Sequence, residues 1–160
     1  MLKMLKLNNI SAIGIDTKTE KFNTCNENGA EFSVSPMEND LKNKIADFSK
    51  SNDLDVVVDF VSSKSSLELG CSILGKGGRL VTLGGSGEQF LANSADMLVK
   101  ELELIGSRYC TKQELKESLD LYARGLIEPL VSVKTDFDGA EDLHDKIEKG
   151  EIIGRAGILI

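Results

Sequence analysis

Residues 55–85, DVVVDFVSSKSSLELGCSILGKGGRLVTLGG, contain the pattern that decides the fold. The valines at 56–58 form a β-branched apolar run that is too short for a helix, which predicts a strand buried on both faces. The next segment places small and apolar residues on one helical face and ends in glycines that predict a turn: Leu67, Gly70, Cys71 and Leu74, then Gly75, Gly77 and Gly78. A second apolar run at 80–83 predicts another strand, so the stretch is one strand–helix–strand unit with a right-handed crossover.

Strands and helices alternate along the rest of the chain. Apolar runs predict further strands at 10–15, 31–35, 102–106, 130–133 and 156–160, and helical spacing predicts helices at 21–28, 41–48, 115–125 and 140–150. The first residues, MLKMLKL, are typical of the end of an amphipathic helix, and a short helix is expected between 86 and 101. This alternation predicts an α/β fold with a mostly parallel sheet and helices on both faces.

Composition limits the function classes. A chain of 160 residues with 41% hydrophobic and 28% charged residues is expected to form one domain over residues 1–160. The net charge of −7 argues against binding to nucleic acid or to an anionic membrane, since both require clustered Lys and Arg. The three cysteines are widely spaced and include no CxxC pair, which favours a reducing, cytoplasmic environment over a disulfide framework.

Asp16 is the sharpest candidate for a binding residue. A carboxylate at the end of a strand in such a fold accepts both hydroxyl hydrogens of an adenine ribose and repels a 2′-phosphate, so it selects NAD over NADP. The alternative role is an aspartate that starts a turn or caps a helix.

Other polar residues give weaker signals. His144 lies among charged residues of the last predicted helix, which indicates a solvated face. Cys71 shares an apolar face with Leu67 and Leu74 and is interpreted as a small buried hydrophobe, not as a nucleophile. Neither GxGxxG nor GxxxxGK[ST] occurs anywhere in the sequence.

The central stretch also resembles a known family. An acidic residue after an aliphatic run (Asp59), a helix that ends in a GKGG turn, and a strand that closes on Gly84 and Gly85 resemble the cofactor-binding half of the zinc-containing medium-chain alcohol dehydrogenases. The resemblance covers nearly the whole chain and implies a Rossmann-like sheet that lacks its first strand.

The same resemblance suggests further cofactor-binding residues. Lys21 stands five positions after Asp16, where the family has a lysine that also reaches the ribose. Arg155, in GRAGILI, matches an arginine that reaches the pyrophosphate, and its alternative is a surface arginine beside a strand. Gly84 and Gly85 resemble the place where nicotinamide approaches the backbone, although glycines also end strands for steric reasons. By analogy, Val61 and Ser62 are expected near the adenosine and ribose.

Several family features have no counterpart in the sequence, among them the GxGxxG turn and a domain with catalytic zinc ligands. We therefore expect a truncated dinucleotide-binding domain that does not catalyse hydride transfer alone, holds no zinc and binds NAD weakly or not at all. The missing strand would lie between residues 10–15 and 54–59 and leave two open strand edges. Residues 156–160 are expected to fill that gap, within the chain or by exchange with another copy.

Two partner arrangements follow from the resemblance. The family dimerises by pairing the last strand of its sheet edge to edge, which implicates the strand from Leu102 to Gly106 and predicts a homo-oligomer. A separately encoded catalytic half is the other partner considered. The competing function is a non-catalytic oligomerisation or scaffold module, a remnant of a dehydrogenase in which ligand binding is lost.

Overall fold

A computed structural model describes residues 1–49 and 54–160. The chain forms two compact units that interleave along the sequence. The first consists of Met1–Gly14, Glu20–Ser33 and Thr111–Ile160, and the second of Ile15–Thr19 and Val34–Cys110.

The helices of the described residues agree with the predicted ones in their order along the chain and in their positions. They are α1 (Leu2–Leu7), a 3₁₀ turn (Thr19–Lys21), α2 (Phe22–Glu27), α3 (Leu41–Ser49), α4 (Lys64–Ile73), α5 (Ser94–Lys100), α6 (Lys112–Ala123) and α7 (Ala140–Glu148). Capping boxes begin two of them, with Ser63 and Ser66 at α4 and with Thr111 and Glu114 at α6. Within the described ranges, no helix has the length and apolar character needed to cross a membrane.

The strands within residues 1–49 and 54–160 pair in three small sheets. They are β1 (Gly14–Ile15), β2 (Ser33–Val34), β3 (Leu54–Asp59), β4 (Leu74–Thr82), β5 (Glu103–Gly106), β6 (Val131–Thr135) and β7 (Arg155–Ile158), in the orders β1-β2, β3-β4-β5 and β6-β7. The pairs β3-β4, β4-β5 and β6-β7 are parallel. The predicted α/β class with parallel strands is therefore confirmed.

The central unit β3-α4-β4 forms at the predicted positions, but the burial of one valine differs from the prediction. Val57 lies against Gly70 of α4, where a Cβ on that glycine would be 3.3 Å from the valine Cγ1. Val56 points to the opposite face of the strand and is 48% exposed. The prediction of burial on both faces is wrong for this residue, because alternate side chains point to opposite faces and α4 covers only one of them.

The glycine segment after α4 turns the chain inside β4, not before it. The register of β3 on β4 changes from Leu54 opposite Leu74 to Val56 opposite Arg79, so β4 carries three extra residues between these pairs. Gly77 has a φ of +72°, and a Cβ at Gly78 would lie 2.8 Å from the carbonyl oxygen of Gly75. Glycine is required here because the backbone folds closely on itself.

One buried cluster of the second unit lies between α4 and the sheet. Leu67, Leu74 and Leu80 form a buried cluster, and partly buried side chains pack against it: Leu54, Val57, Cys71, Phe90 and Leu102. This packing fixes the carboxyl ends of β3 and β4 relative to the N-terminus of α4.

The terminal strand does not fill a gap in the central sheet. β7 pairs in parallel with β6, with Arg155 opposite Val131 and Ile158 opposite Thr135. The N–H groups of Arg155 and Leu159 donate to the carbonyls of Leu130 and Thr135, both at 2.7 Å. The predicted insertion of residues 156–160 within the chain is therefore wrong, because β6 already satisfies the backbone groups along one edge of this strand. Exchange between copies stays a prediction.

Candidate functional site

The carboxyl ends of β3 and β4 lie side by side, because the two strands are parallel and Asp59 stands opposite Thr82. The N–H of Leu83 donates to the carbonyl of Asp59 at 2.8 Å and extends this pairing by one residue. In open α/β sheets, ligands bind at the carboxyl ends of the strands. Residues 60–63 and 83–88 therefore surround the best candidate site in the second unit.

The Asp59 carboxylate organises the turn that follows β3. Its Oδ1 accepts hydrogen bonds from the N–H groups of Val61 and Ser62, at 2.8 and 2.9 Å. The residue is only 7% exposed, and among the described residues its Oδ2 has no hydrogen-bond partner. The turn is thus held by a buried carboxylate that uses one of its two oxygens.

Ser62 adopts a backbone conformation that is unusual for a residue with a side chain. Its φ is +56°, and the residue is 6% exposed. The Ser62 hydroxyl is paired with the hydroxyl of Thr82, and its carbonyl accepts a hydrogen bond from the Ser86 hydroxyl. These bonds join the turn to β4 and to the loop beyond it, and they offset the cost of the left-handed backbone.

The two glycines at the end of β4 have different surroundings. A Cβ added at Gly84 would lie 2.6 Å from the carbonyl carbon and oxygen of Val61 and 2.7 Å from the Ser62 hydroxyl. A Cβ added at Gly85 would meet no atom within 4 Å. Gly84 therefore has a steric reason to be glycine, whereas the chain beside Gly85 is open to a ligand.

The loop after Gly85 is fastened to α4 by two carboxylates. Oε2 of Glu88 accepts the N–H of Lys64 in the first turn of the helix at 2.7 Å, and Oε1 of Glu68 accepts the N–H of Leu91 at 3.2 Å. A negative charge at the beginning of a helix is stabilised by the helix dipole. The loop thus borders the site along its α4 side.

Replacing Ser62 separates the backbone cost from the side-chain bond. Ser62→Ala loses the bond to Thr82 and keeps the left-handed backbone, whereas Ser62→Gly loses the same bond and relieves the backbone. We expect Ser62→Gly to be more stable than Ser62→Ala by about 1 kcal/mol in urea unfolding, the reverse of the usual order. Equal or lower stability of the glycine variant would contradict the φ of +56°.

Asp16 lies at the carboxyl end of β1, in the same unit as the turn after β3. Its N–H donates to the Val34 carbonyl at 3.3 Å, and its Oδ1 accepts the N–H of Lys18 at 2.9 Å. The second bond is typical of an aspartate that begins a turn, so the structural role considered from the sequence is present. A role in turn geometry does not exclude ribose binding, since a carboxylate has four acceptor positions.

Lys21 and Arg155 belong to the other unit. Lys21 ends the 3₁₀ turn and precedes α2, and its side chain is half-buried. Arg155 opens β7 and is exposed. The structure thus brings Val61, Ser62, Gly84 and Gly85 together at the carboxyl ends of β3 and β4. Lys21 and Arg155 belong to the unit that contains β6 and β7.

Sequence reasoning missed the polar groups that hold the turn. Asp59 served only as a mark of family resemblance, although an aspartate two residues before a turn is a recognisable local signal for side-chain bonds to the backbone. The pairing of Ser62 with Thr82 spans 20 residues and has no local signature. The position of Thr82 next to Ser62 follows from the register of β3 on β4.

The other candidates carry no site. His144 is exposed on α7. Burial raises the pKa of the Cys71 thiol, while the charge of Lys100 opposes the shift, so this half-buried cysteine is a poor nucleophile. Within residues 1–49 and 54–160, no three His, Cys, Asp or Glu side chains lie together in a way that would hold a metal ion.

Comparison with known proteins matches this fold. The family described as zinc-binding dehydrogenase matches residues 1–124. The chain belongs to the zinc-binding dehydrogenase family. Relatives in the family include an alcohol dehydrogenase of Geobacillus stearothermophilus, 26% identical over 146 residues, which cover 91% of this chain and 42% of the relative. An NAD-dependent alcohol dehydrogenase of Sulfolobus acidocaldarius is 27% identical over 145 residues, with coverages of 89% and 41%.

A solved structure supports the same assignment. The alcohol dehydrogenase from the hyperthermophilic archaeon Aeropyrum pernix superposes with a TM-score of 0.86 at 27% identity, over 97% of this chain and 44% of that chain. The chain spans about two fifths of the length of the curated relatives it matches. The described residues do not fit the zinc that the family description implies, because they contain no suitable group of ligands.

Proposed function

We propose that this chain forms the NAD-binding portion of an alcohol dehydrogenase-like oxidoreductase. The observation that carries the proposal is the position of Asp16 at the carboxyl end of β1, in the same compact unit as the turn at Val61 and Ser62. Its carboxylate would hold the adenine ribose and repel a 2′-phosphate, which selects NAD over NADP. The family assignment and the names of the relatives support the reaction class.

The residues at the carboxyl ends of β3 and β4 fit a dinucleotide. Val61 is 65% exposed beside the backbone of Gly84, and Gly85 leaves open space next to β4. An exposed apolar side chain and an open backbone are what a base or a nicotinamide ring requires for close contact. The roles of Lys21 as a donor to the ribose and of Arg155 as a phosphate-binding guanidinium stay predictions from the family resemblance. When bound, NAD supplies a hydride acceptor.

The chemistry beyond cofactor binding requires other residues. Polarising an alcohol oxygen by zinc requires ligands, and the described residues offer no suitable set. We therefore propose that zinc and substrate are held by residues outside this binding portion, in the same or another polypeptide. The cysteines of the described residues are free, in accord with a cytoplasmic location.

A homo-oligomer is proposed through the outer edge of β5. This strand is the last of the β3-β4-β5 sheet, and all four of its residues, from Glu103 to Gly106, are exposed. An edge strand presents unpaired N–H and C=O groups that a second copy can satisfy. Sedimentation of the purified chain at several concentrations tests whether the chain self-associates.

The decisive experiment is calorimetric titration of NADH, and separately NADPH, into the purified chain. We expect NADH to bind more tightly than NADPH, and Asp16→Ala to weaken NADH binding about tenfold or more, because a bond to a charged acceptor is lost. Asp47→Ala, which removes an exposed carboxylate from α3, is the matched control and is expected to leave the affinity unchanged. Equal affinities of the Asp16 variant and the wild type would reject the ribose site.

A further inference from the structure

Asp59 makes three hydrogen bonds that connect β3 to the candidate site. Its Oδ1 accepts the N–H groups of Val61 and Ser62 at 2.8 and 2.9 Å. Its carbonyl accepts the N–H of Leu83 at 2.8 Å, one residue before Gly84. One residue thus holds the backbone on both sides of the place where the Gly84 backbone meets the Val61 carbonyl.

This arrangement has a cost in stability. Asp59 is 7% exposed, and its Oδ2 has no hydrogen-bond partner among the described residues. A buried carboxylate oxygen without a donor is unfavourable, and an unsatisfied buried group in a folded protein calls for an explanation other than packing. The two backbone N–H groups need an acceptor at this place, and Oδ1 of Asp59 supplies it.

The turn that Asp59 holds presents an apolar side chain to solvent. Val61 is 65% exposed, although its N–H is bonded to Asp59 and its carbonyl lies against Gly84. A side chain on a fixed backbone loses less conformational entropy when a ligand covers it. Without the Asp59 bonds, the ligand would have to order this segment itself.

We propose that Asp59 is a positioning residue for the dinucleotide: through Oδ1 it holds the backbone of Val61 and Ser62 in the conformation that the cofactor contacts. The inference rests on the proposed function, since it concerns the same site. Asp59 acts through the turn and makes no contact with the cofactor.

The test uses Asp59→Ala, which removes the acceptor, and Asp59→Asn, which retains an amide oxygen at the position of Oδ1. Hydrogen exchange of the Val61 and Ser62 amides is followed by NMR, and NADH affinity is measured by calorimetry. We expect Asp59→Ala to lose protection at both amides and to bind NADH about tenfold more weakly, whereas Asp59→Asn retains the protection and affinity within about twofold. Should the alanine variant not fold, Asp59→Ser, with one acceptor oxygen, is expected to be intermediate in both measurements.

A substitution that only lowers the stability of the unit is expected to give a different result from Asp59→Ala. Ile45→Ala destabilises the same unit from the buried face of α3 and is expected to leave the affinity of the folded protein unchanged. Loss of amide protection in Asp59→Ala with wild-type NADH affinity overturns the inference alone, as does failure of Asp59→Asn to restore affinity. Absence of NADH binding to the wild-type chain overturns the proposed function and the inference together.

Discussion

Alanine at Gly84 is expected to abolish measurable NADH binding and to lower the free energy of unfolding by about 1–3 kcal/mol. The added Cβ would lie 2.6 Å from the carbonyl carbon and oxygen of Val61 and 2.7 Å from the Ser62 hydroxyl. Two of these atoms are backbone, so the turn itself must move to make room. That movement strains the bonds from Val61 and Ser62 to Asp59, which hold the proposed cofactor-contacting segment.

Gly85→Ala is the matched control for stability. The two glycines are adjacent, but a Cβ at Gly85 would meet nothing within 4 Å. Because alanine reduces the conformational entropy of the unfolded chain, we expect this variant to be as stable as the wild type or slightly more stable. Urea unfolding followed by circular dichroism gives both stabilities, and calorimetry gives NADH affinity below the unfolding transition. Equal stabilities of the two variants would mean that Gly84 is not packed against the turn.

The central strand–helix–strand unit was predictable because its signals are local. A run of β-branched residues, a helical apolar face and a glycine turn each act within a few residues. The structure confirms β3, α4 and β4 at those positions. The position of the turn differs, since the extra residues of β4 are absorbed within the strand as its pairing shifts from Leu74 to Arg79.

Non-local features were not predictable in the same way. The exposure of Val56 depends on which face of the sheet a helix covers, and a run of three valines does not specify that. β7 pairs with β6, and not with a strand of the central sheet, and its own sequence does not specify that choice. Sequence pattern identifies a strand, but the choice of partner depends on the whole chain.

The candidate site shows the same difference between local and non-local signals. Asp16 was proposed because a carboxylate at a strand end is a local pattern with a known chemical use, whereas the role of Gly84 was proposed from the family resemblance. The hydroxyl pair of Ser62 and Thr82 exists only because the strands are in register, and it could not be read from either residue. Family resemblance supplied residues 61 and 62, and the structure supplied the reason for their geometry.

Leu80→Ala is expected to lower the free energy of unfolding by about 2–5 kcal/mol, a large share of the roughly 5–15 kcal/mol that stabilises a domain. Leu80 is 2% exposed and packs with Leu67 and Leu74 in the core cluster. Truncation leaves a cavity that the surrounding helix and strands do not fill. Leu98→Ala is the matched control, since Leu98 is 79% exposed and its truncation is expected to change stability by less than about 0.5 kcal/mol.

A second substitution tests whether the cavity lies where the structure places it. A Cβ at Gly70 would lie 2.8 Å from Cδ1 of Leu80, so Gly70→Ala is opposed by that side chain in the wild type. In the Leu80→Ala background the contact is gone, and alanine gains about 1 kcal/mol of helix propensity while it fills part of the space. The double variant should therefore be more stable than the sum of the single effects predicts in urea unfolding. Simple additivity would show that Leu80 does not pack over Gly70, and it would remove the packing that aligns α4 with the ends of β3 and β4.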